Sequence, residues 1–186
     1  VQTCALPILR SAGFSFEVRP ADVDETPRPG ESAEAFVGRL SAEKAARGAA
    51  LRGAAADAAD VVVLGADTVV VVDGDILGKP ADDDDARRML GRLSGRAHEV
   101  LTGVTLRRGT VALTRVVSTR VVFAALAPDE VAWYVAAGEG RDKAGAYAIQ
   151  GLASRYVTRI EGSSSNVVGL PVATVYTLWR QLASGE

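Results

Sequence analysis

The stretch Val61–Pro80 reads VVVLGADTVVVVDGDILGKP. Val61 to Leu64 is a short, continuous apolar run closed by Gly65, the pattern of a fully buried strand. Val69 to Val72 is a second such run, and Asp73-Gly74 after it is the strongest short hairpin signal. Lys79-Pro80 ends the stretch. Between the two runs lies Asp67. An ionised carboxylate at the mouth of a buried strand is costly unless it is paired or holds a metal. Lys79 and a divalent cation are the obvious partners. The plainer alternative is that Asp67 only caps a turn after the strand.

Upstream, Phe14, Phe16 and Val18 alternate with polar residues, which predicts a strand. Pro20 to Pro29 reads as an acidic, proline-rich loop containing Glu25. Ser32 is an expected N-cap for a helix running to about Leu51, with Phe36, Leu40, Lys44, Arg47 and Leu51 on one face. Lys44 is therefore a cation on or near the inward stripe. Its stem either snorkels to the rim or delivers charge to an anionic ligand.

Downstream, Asp82 to Leu93 reads as a second helix with Ala86, Met89, Leu90 and Leu93 inward. The run Asp82 to Asp85 resembles a metal cluster, but acids at the first turn and arginines further along are what the helix dipole favours. Val100 to Leu106 and Val111 to Leu126 alternate as strands, the latter as one long strand or two. Pro128 opens a third helix ending at Gly138. Glu139 to Gly145 is a polar, glycine-rich loop, and Tyr156 to Ile160 a further strand. Gly162 to Asn166 reads as a serine-rich loop. Pro171 opens a last helix with Val172, Val175, Tyr176, Trp179 and Leu182 on one face. Strands alternating with helices, plus a hairpin, give a mixed α/β fold.

The 186 residues suit one large domain or two small lobes, and 48% are apolar, enough for a real core. The net charge of −2, from 21 basic and 23 acidic side chains, gives no broad basic field for a nucleic acid partner. Asp and Arg interrupt every apolar run before it reaches membrane-spanning length, so no membrane partner is expected. The single cysteine, Cys4, excludes an internal disulfide framework and a cysteine-based zinc site. With no targeting segment evident, a cytoplasmic protein is expected.

There is no Walker A loop, no G-x-G-x-x-G after a strand and no G-x-S-x-G elbow. His98 is the only histidine, and it lacks an elbow serine to serve; it is expected to close a turn or line a site wall. What remains is a set of charges beside small or apolar residues: Glu25, Lys44, Asp67, Lys79, and Arg141, Asp142, Lys143 and Gln150 around the late loop. Carboxylates that hold Mg²⁺, with lysines that neutralise phosphate oxygens, suit a metal-bound polyphosphate. By composition alone the same set is equally a solvated surface.

The blocks RLSAEKA (Arg39–Ala45), LGADTVV (Leu64–Val70), LGKP (Leu77–Pro80), LSGRAHEVLTGV (Leu93–Val104), DKAGAYAIQG (Asp142–Gly151) and GSSSNVVGLP (Gly162–Pro171) resemble the Maf family of nucleotide pyrophosphatases, in order and spacing from about Ile8 onward. The resemblance implies hydrolysis of nucleoside triphosphates between the α and β phosphates by a water activated by a divalent metal, Mg²⁺ or Mn²⁺. It implies one domain over 1–186, an elongated mixed α/β fold whose twisted sheet and flanking helices form two lobes around a central cleft, often as a homodimer. The DKAGAYAIQG block looks like the branch acting on dTTP and UTP. Carried over residue by residue, Asp67 would be the catalytic carboxylate and a metal ligand, and Glu25 would assist at the metal. Lys44 and Lys79 would serve both catalysis and substrate binding by stabilising phosphate charge. Gln150 would recognise base or sugar.

The chain departs from the family at its front. A Ser-x-Ser-Pro-Arg-Arg loop is expected where Gln2, Thr3, Cys4 and Ala5 stand, and neither arginine is there. The chain opens on Val1, not Met, and residues 1–7 read as a truncated or foreign start. Each lost arginine removes charge-assisted bonds worth about 1.5–3 kcal/mol, so impaired turnover is expected. The alternative reading is a non-catalytic protein that binds nucleotide or a partner linked to septum formation.

Overall fold

The computed structural model describes residues 5–51 and 61–184. Its organising hairpin forms as the sequence predicts. Strand β1 (Val62–Val72) pairs antiparallel with β2 (Asp75–Leu77), Val72 facing Asp75. Asp73 (φ 55°) and Gly74 (φ 84°) make the two-residue turn with both φ positive, the requirement of a type I′ hairpin. The expectation of two separate apolar strands is corrected. β1 runs unbroken through Gly65 and Asp67, so Asp67 lies inside a strand and not at its mouth.

Helix α1 (Ala5–Ser11) precedes a long irregular segment. The expected strand at Phe14–Val18 does not form. Phe14 and Phe16 instead pack against the core of their unit while Val18 is exposed. Their alternation found apolar cover without a neighbouring strand to complete a ladder. Gln2, Thr3 and Cys4 lie outside the described residues.

Helix α2 (Ala33–Ala50) starts at Ser32, whose hydroxyl accepts from Ala35 N at 3.2 Å. Its buried face is Phe36, Val37, Leu40, Ser41 and Ala45. The expected inward positions Arg47 and Leu51 are exposed, because the stripe rotates toward the small residues that contact the sheet.

Helix α3 (Asp83–Leu93) is capped by Asp82 and buries the four expected apolar residues. Strands β3 (Ala97–Arg108) and β4 (Val111–Phe123) follow, β4 as one long strand. Helix α4 (Pro128–Ala137) ends on left-handed Gly138. Strand β5 (Val157–Glu161) pairs antiparallel with β4. The expected loop at Gly162–Asn166 instead leads into a short helix, α5 (Ser164–Val168). Helix α6 (Val172–Ser184) buries Val175, Leu178 and Leu182. Tyr176 and Trp179, expected inward, are exposed and stack on each other with ring centroids 6.1 Å apart. The sheet order is β2-β1-β3-β4-β5.

The chain divides into two compact units. The first comprises Val1–Asp67, Thr102–Val117 and Gly169–Glu186, and its core includes Leu9, Val104, Leu106, Leu170 and Leu178. The second comprises Thr68–Leu101 and Ser118–Val168, with a core around Val70, Leu90, Leu93, Phe123, Tyr134 and Tyr147. No described helix is long and apolar enough to cross a membrane.

Candidate functional site

In the first unit, two glycines decide where Lys44 stands. A Cβ on Gly65 of β1 would fall well inside contact distance of Ser41 O and Ala45 N; one on Gly103 of β3 would do the same to Val37 O. Glycine in a strand often marks such a close backbone approach. Val37, Ser41 and Ala45 are spaced four apart, one face of α2, so the helix lies directly on the sheet. Beneath it, Ser41 Oγ and Thr105 Oγ1 share a buried hydrogen bond of 2.9 Å. With the helix fixed this closely, the Lys44 ammonium meets Asp67 of β1 two residues past Gly65.

Lys44 Nζ donates to Asp67 Oδ1 at 2.6 Å and pairs with Glu25 Oε1 at 2.7 Å. The Asp67 and Lys44 side chains are only 12% and 20% exposed, while Glu25 reaches in from a more open loop at 52%. Burial by itself pulls the Lys44 pKa down. The charges of Asp67 and Glu25, with their hydrogen bonds, outweigh it and hold the ammonium above its ordinary value. Of the residues the sequence singles out, the structure thus joins Glu25, Lys44 and Asp67, and it gives Asp67 a partner in Lys44.

The donor set fits a hard divalent cation. Both carboxylates place an oxygen on the same nitrogen, that of Lys44, so the two acids converge on one point. Among the described residues, no group of three or more His, Cys, Asp or Glu is arranged to hold a metal ion. Two carboxylates completed by substrate phosphates and water is the usual protein share in binding Mg²⁺.

The Glu25 loop is itself strapped to α2. Arg39 gives a forked pair of bonds to Glu31, Nε to Oε1 at 2.6 Å and Nη2 to Oε2 at 2.8 Å. Its Nη2 also reaches Thr26 O at 3.2 Å and its Nη1 reaches Glu43 at 3.3 Å. The Arg39 hydrogen bond holds the Glu31 carboxyl down at about 2. Arg39, Glu31 and Gly103 are not named as site residues by the sequence reading, and Gly65 enters it only as the end of a strand. The signal for the glycines was their place inside apolar strands; the signal for Arg39 was its block, RLSAEKA.

Lys79 and Gln150 both belong to the second unit and both sit on exposed turns. The Gln150 turn has a buried frame. Tyr134 Oη, on a residue 1% exposed, donates to Glu139 Oε2 at 2.8 Å and accepts from Ala148 N at 3.0 Å. Glu139 also accepts from Leu152 N at 2.9 Å, so one carboxylate and one phenol grip the chain on both sides of Gln150. An open cavity of about 640 Å³ is lined by Pro80 to Asp84, Arg87 and Arg141. Its acids are engaged: Asp82 caps α3, Asp83 pairs with Arg141, and Asp84 pairs with Arg87. The dipole reading of that acidic run, with Asp82 as the cap the structure adds, accounts for them.

His98 lies in β3, 3% exposed, with Nε2 2.8 Å from Tyr147 Oη and its ring edge-on to Phe123. Its Nδ1 has no hydrogen-bond partner among the described residues. Burial pushes its pKa down to about 4, so it is a neutral core residue of the second unit.

The fold and the carboxylate–lysine cluster define a class that sequence comparison makes specific. The family described as Maf-like protein matches residues 6–182, and the chain belongs to it. Among its relatives is a dTTP/UTP pyrophosphatase of Anaeromyxobacter sp. (strain Fw109-5), 53% identical over 179 residues, covering 94% of this chain and 82% of the relative. Proteins of the same name from Hahella chejuensis and Shewanella oneidensis are each 48% identical, covering 94% and 95% of this chain and 85% and 87% of their own length.

Proposed function

We infer that the chain is a nucleoside triphosphate pyrophosphatase acting on dTTP and UTP. The observation that carries this reading is the half-buried Glu25–Lys44–Asp67 cluster in a chain 53% identical to a protein of that activity. One water is consumed, the α–β anhydride bond breaks, and the nucleoside monophosphate and pyrophosphate leave.

A bound Mg²⁺ or Mn²⁺ would lower the pKa of the attacking water and offset phosphate charge. Glu25 and Asp67 are the residues that would hold it. Asp67, fixed in a strand, orients the water and takes up its proton. Lys44 places a positive charge at the carboxylates' side, where charge builds on the phosphate oxygens. Lys79 is proposed as a second phosphate contact, and Gln150 as the contact to base or sugar. The setting implied is the cytoplasmic nucleotide pool.

The test is pyrophosphate release from dTTP, UTP, CTP and GTP with Mg²⁺. Release from dTTP and UTP above the other two supports the reading. Tight binding of a non-hydrolysable dTTP analogue, with no release from any nucleotide, contradicts it and favours a non-catalytic binding protein.

A further inference from the structure

We propose that Arg39 is a positioning residue for the reaction: it fixes the loop that delivers Glu25 to Lys44 and, through Glu25, sets the affinity for the divalent cation. The proposal rests on the reading of Glu25 as a metal-holding carboxylate.

Residues 12–32 of this unit contain no regular strand or helix, so Glu25 depends on side-chain ties for its position. Most of the ties converge on one guanidinium, and Arg28 Nη2 adds a bond to Glu43 Oε1 of α2 at 3.1 Å. Arg39 is 12% exposed and Glu31 9%, so the forked pair between them is largely shielded from water. From that anchor, Arg39 Nη2 bonds the carbonyl of Thr26, the residue next to Glu25. The backbone of the loop also closes locally. Thr26 N donates to Asp24 Oδ1 at 2.9 Å, and Arg28 N donates to Glu31 Oε2 at 3.0 Å.

A lysine could satisfy one of these acceptors but not the fork and the carbonyl together, because its charge is a single point with no planar arrangement of donors. Glu25 itself touches α2 through Lys44. A loop free to move by an ångström would leave that carboxylate out of reach of a cation held by Asp67.

The experiment measures Mn²⁺ binding by calorimetry, with kcat and KM for dTTP alongside, on the wild type, Arg39→Met, Arg39→Lys, Glu25→Gln and the Arg39→Met/Glu25→Gln double variant. Residues that support metal ligands typically contribute about 10- to 100-fold in affinity or activity. Arg39→Met is expected to weaken Mn²⁺ about 10-fold, with Arg39→Lys between it and the wild type. The double variant should bind no worse than Glu25→Gln alone, since the strap has nothing left to deliver. A merely structural role would instead make the two losses multiply. Wild-type affinity in both Arg39 variants, with Glu25→Gln weakened, overturns the proposal and leaves the site reading intact. Wild-type affinity in Glu25→Gln overturns the site reading itself. If Arg39→Met does not fold, Arg39→Lys and its double variant with Glu25→Gln carry the same comparison.

Discussion

Glu25, Lys44 and Asp67 are charges set against one another, two of them borne by a helix and a strand that touch backbone to backbone. Lys79 and Gln150 are set on exposed turns, and only the frame behind Gln150 is buried. The first unit therefore spends its rigidity on the position of charges. The second spends it on an uncharged aromatic core, where His98, Phe123 and Tyr147 meet edge to face. Substitutions in the first unit should act on turnover, and those at the turns of the second on substrate affinity.

The sharpest way to break that contrast without touching a charge is Gly65→Ala. The added methyl group cannot coexist with Ser41 O and Ala45 N, so α2 must lift from the sheet and carry Lys44 away from Asp67. Overpacking of this kind costs about 1–3 kcal/mol in stability. Displacement of a reacting group by an ångström costs on the order of 100-fold in rate. Denaturant melts and kcat measured together should show both losses. A variant that is destabilised but keeps its kcat would separate the glycine contact from the site.

Acid sharpens the comparison from the other unit. His98 titrates near 4 in the folded protein and near 6.5 in the unfolded chain, so the unfolded chain binds the proton first. Its contribution is fully present above about pH 6.5 and is lost as pH falls through about 4, at most about 3 kcal/mol. Urea melts at pH 7 and pH 4.5 should show the loss, and His98→Phe should reduce the difference between them. An unchanged difference in that variant would contradict the assignment of a neutral buried imidazole.

The smallest expected effect is at the exposed turn. Gln150→Ala should leave stability within about 0.5 kcal/mol. It should raise KM for dTTP about 10-fold with kcat nearly unchanged, the mark of binding energy lost equally from ground and transition states. A fall in kcat at constant KM would contradict the division of labour.

Much of the frame could be read from the chain because its signals are local. Ser32 caps the helix it is expected to cap, the acids of Asp82 to Asp85 open the next helix as expected, and Asp73-Gly74 turns the hairpin. Asp67 and Lys44 stood out because a charge among apolar neighbours needs a partner. Where the reading failed, the deciding contact was distant in sequence. Gly65 looked like the end of a strand; only the approach of α2 explains a glycine inside one. Phe14 to Val18 alternates like a strand, but alternation cannot say whether a neighbouring strand exists. Tyr176 and Trp179 fit the apolar face of α6 by spacing, yet Leu178, not they, joins the expected Val175 and Leu182 in the buried positions. Arg39, although inside the block RLSAEKA, is passed over for the opposite reason, since an arginine on a helix is by default a solvated one.

The proposed hydrolysis depends on Asp67 as the reacting carboxylate, and its replacement by the isosteric amide is the most direct measurement. Asp67→Asn keeps the shape of β1 and its hydrogen-bonding reach toward Lys44, but removes the negative charge. Pyrophosphate release from dTTP and UTP should fall by about 10²- to 10⁴-fold, the range for loss of a positioned acid–base group, while the circular dichroism spectrum stays that of the wild type. Release at the wild-type rate from a folded Asp67→Asn protein would contradict the account.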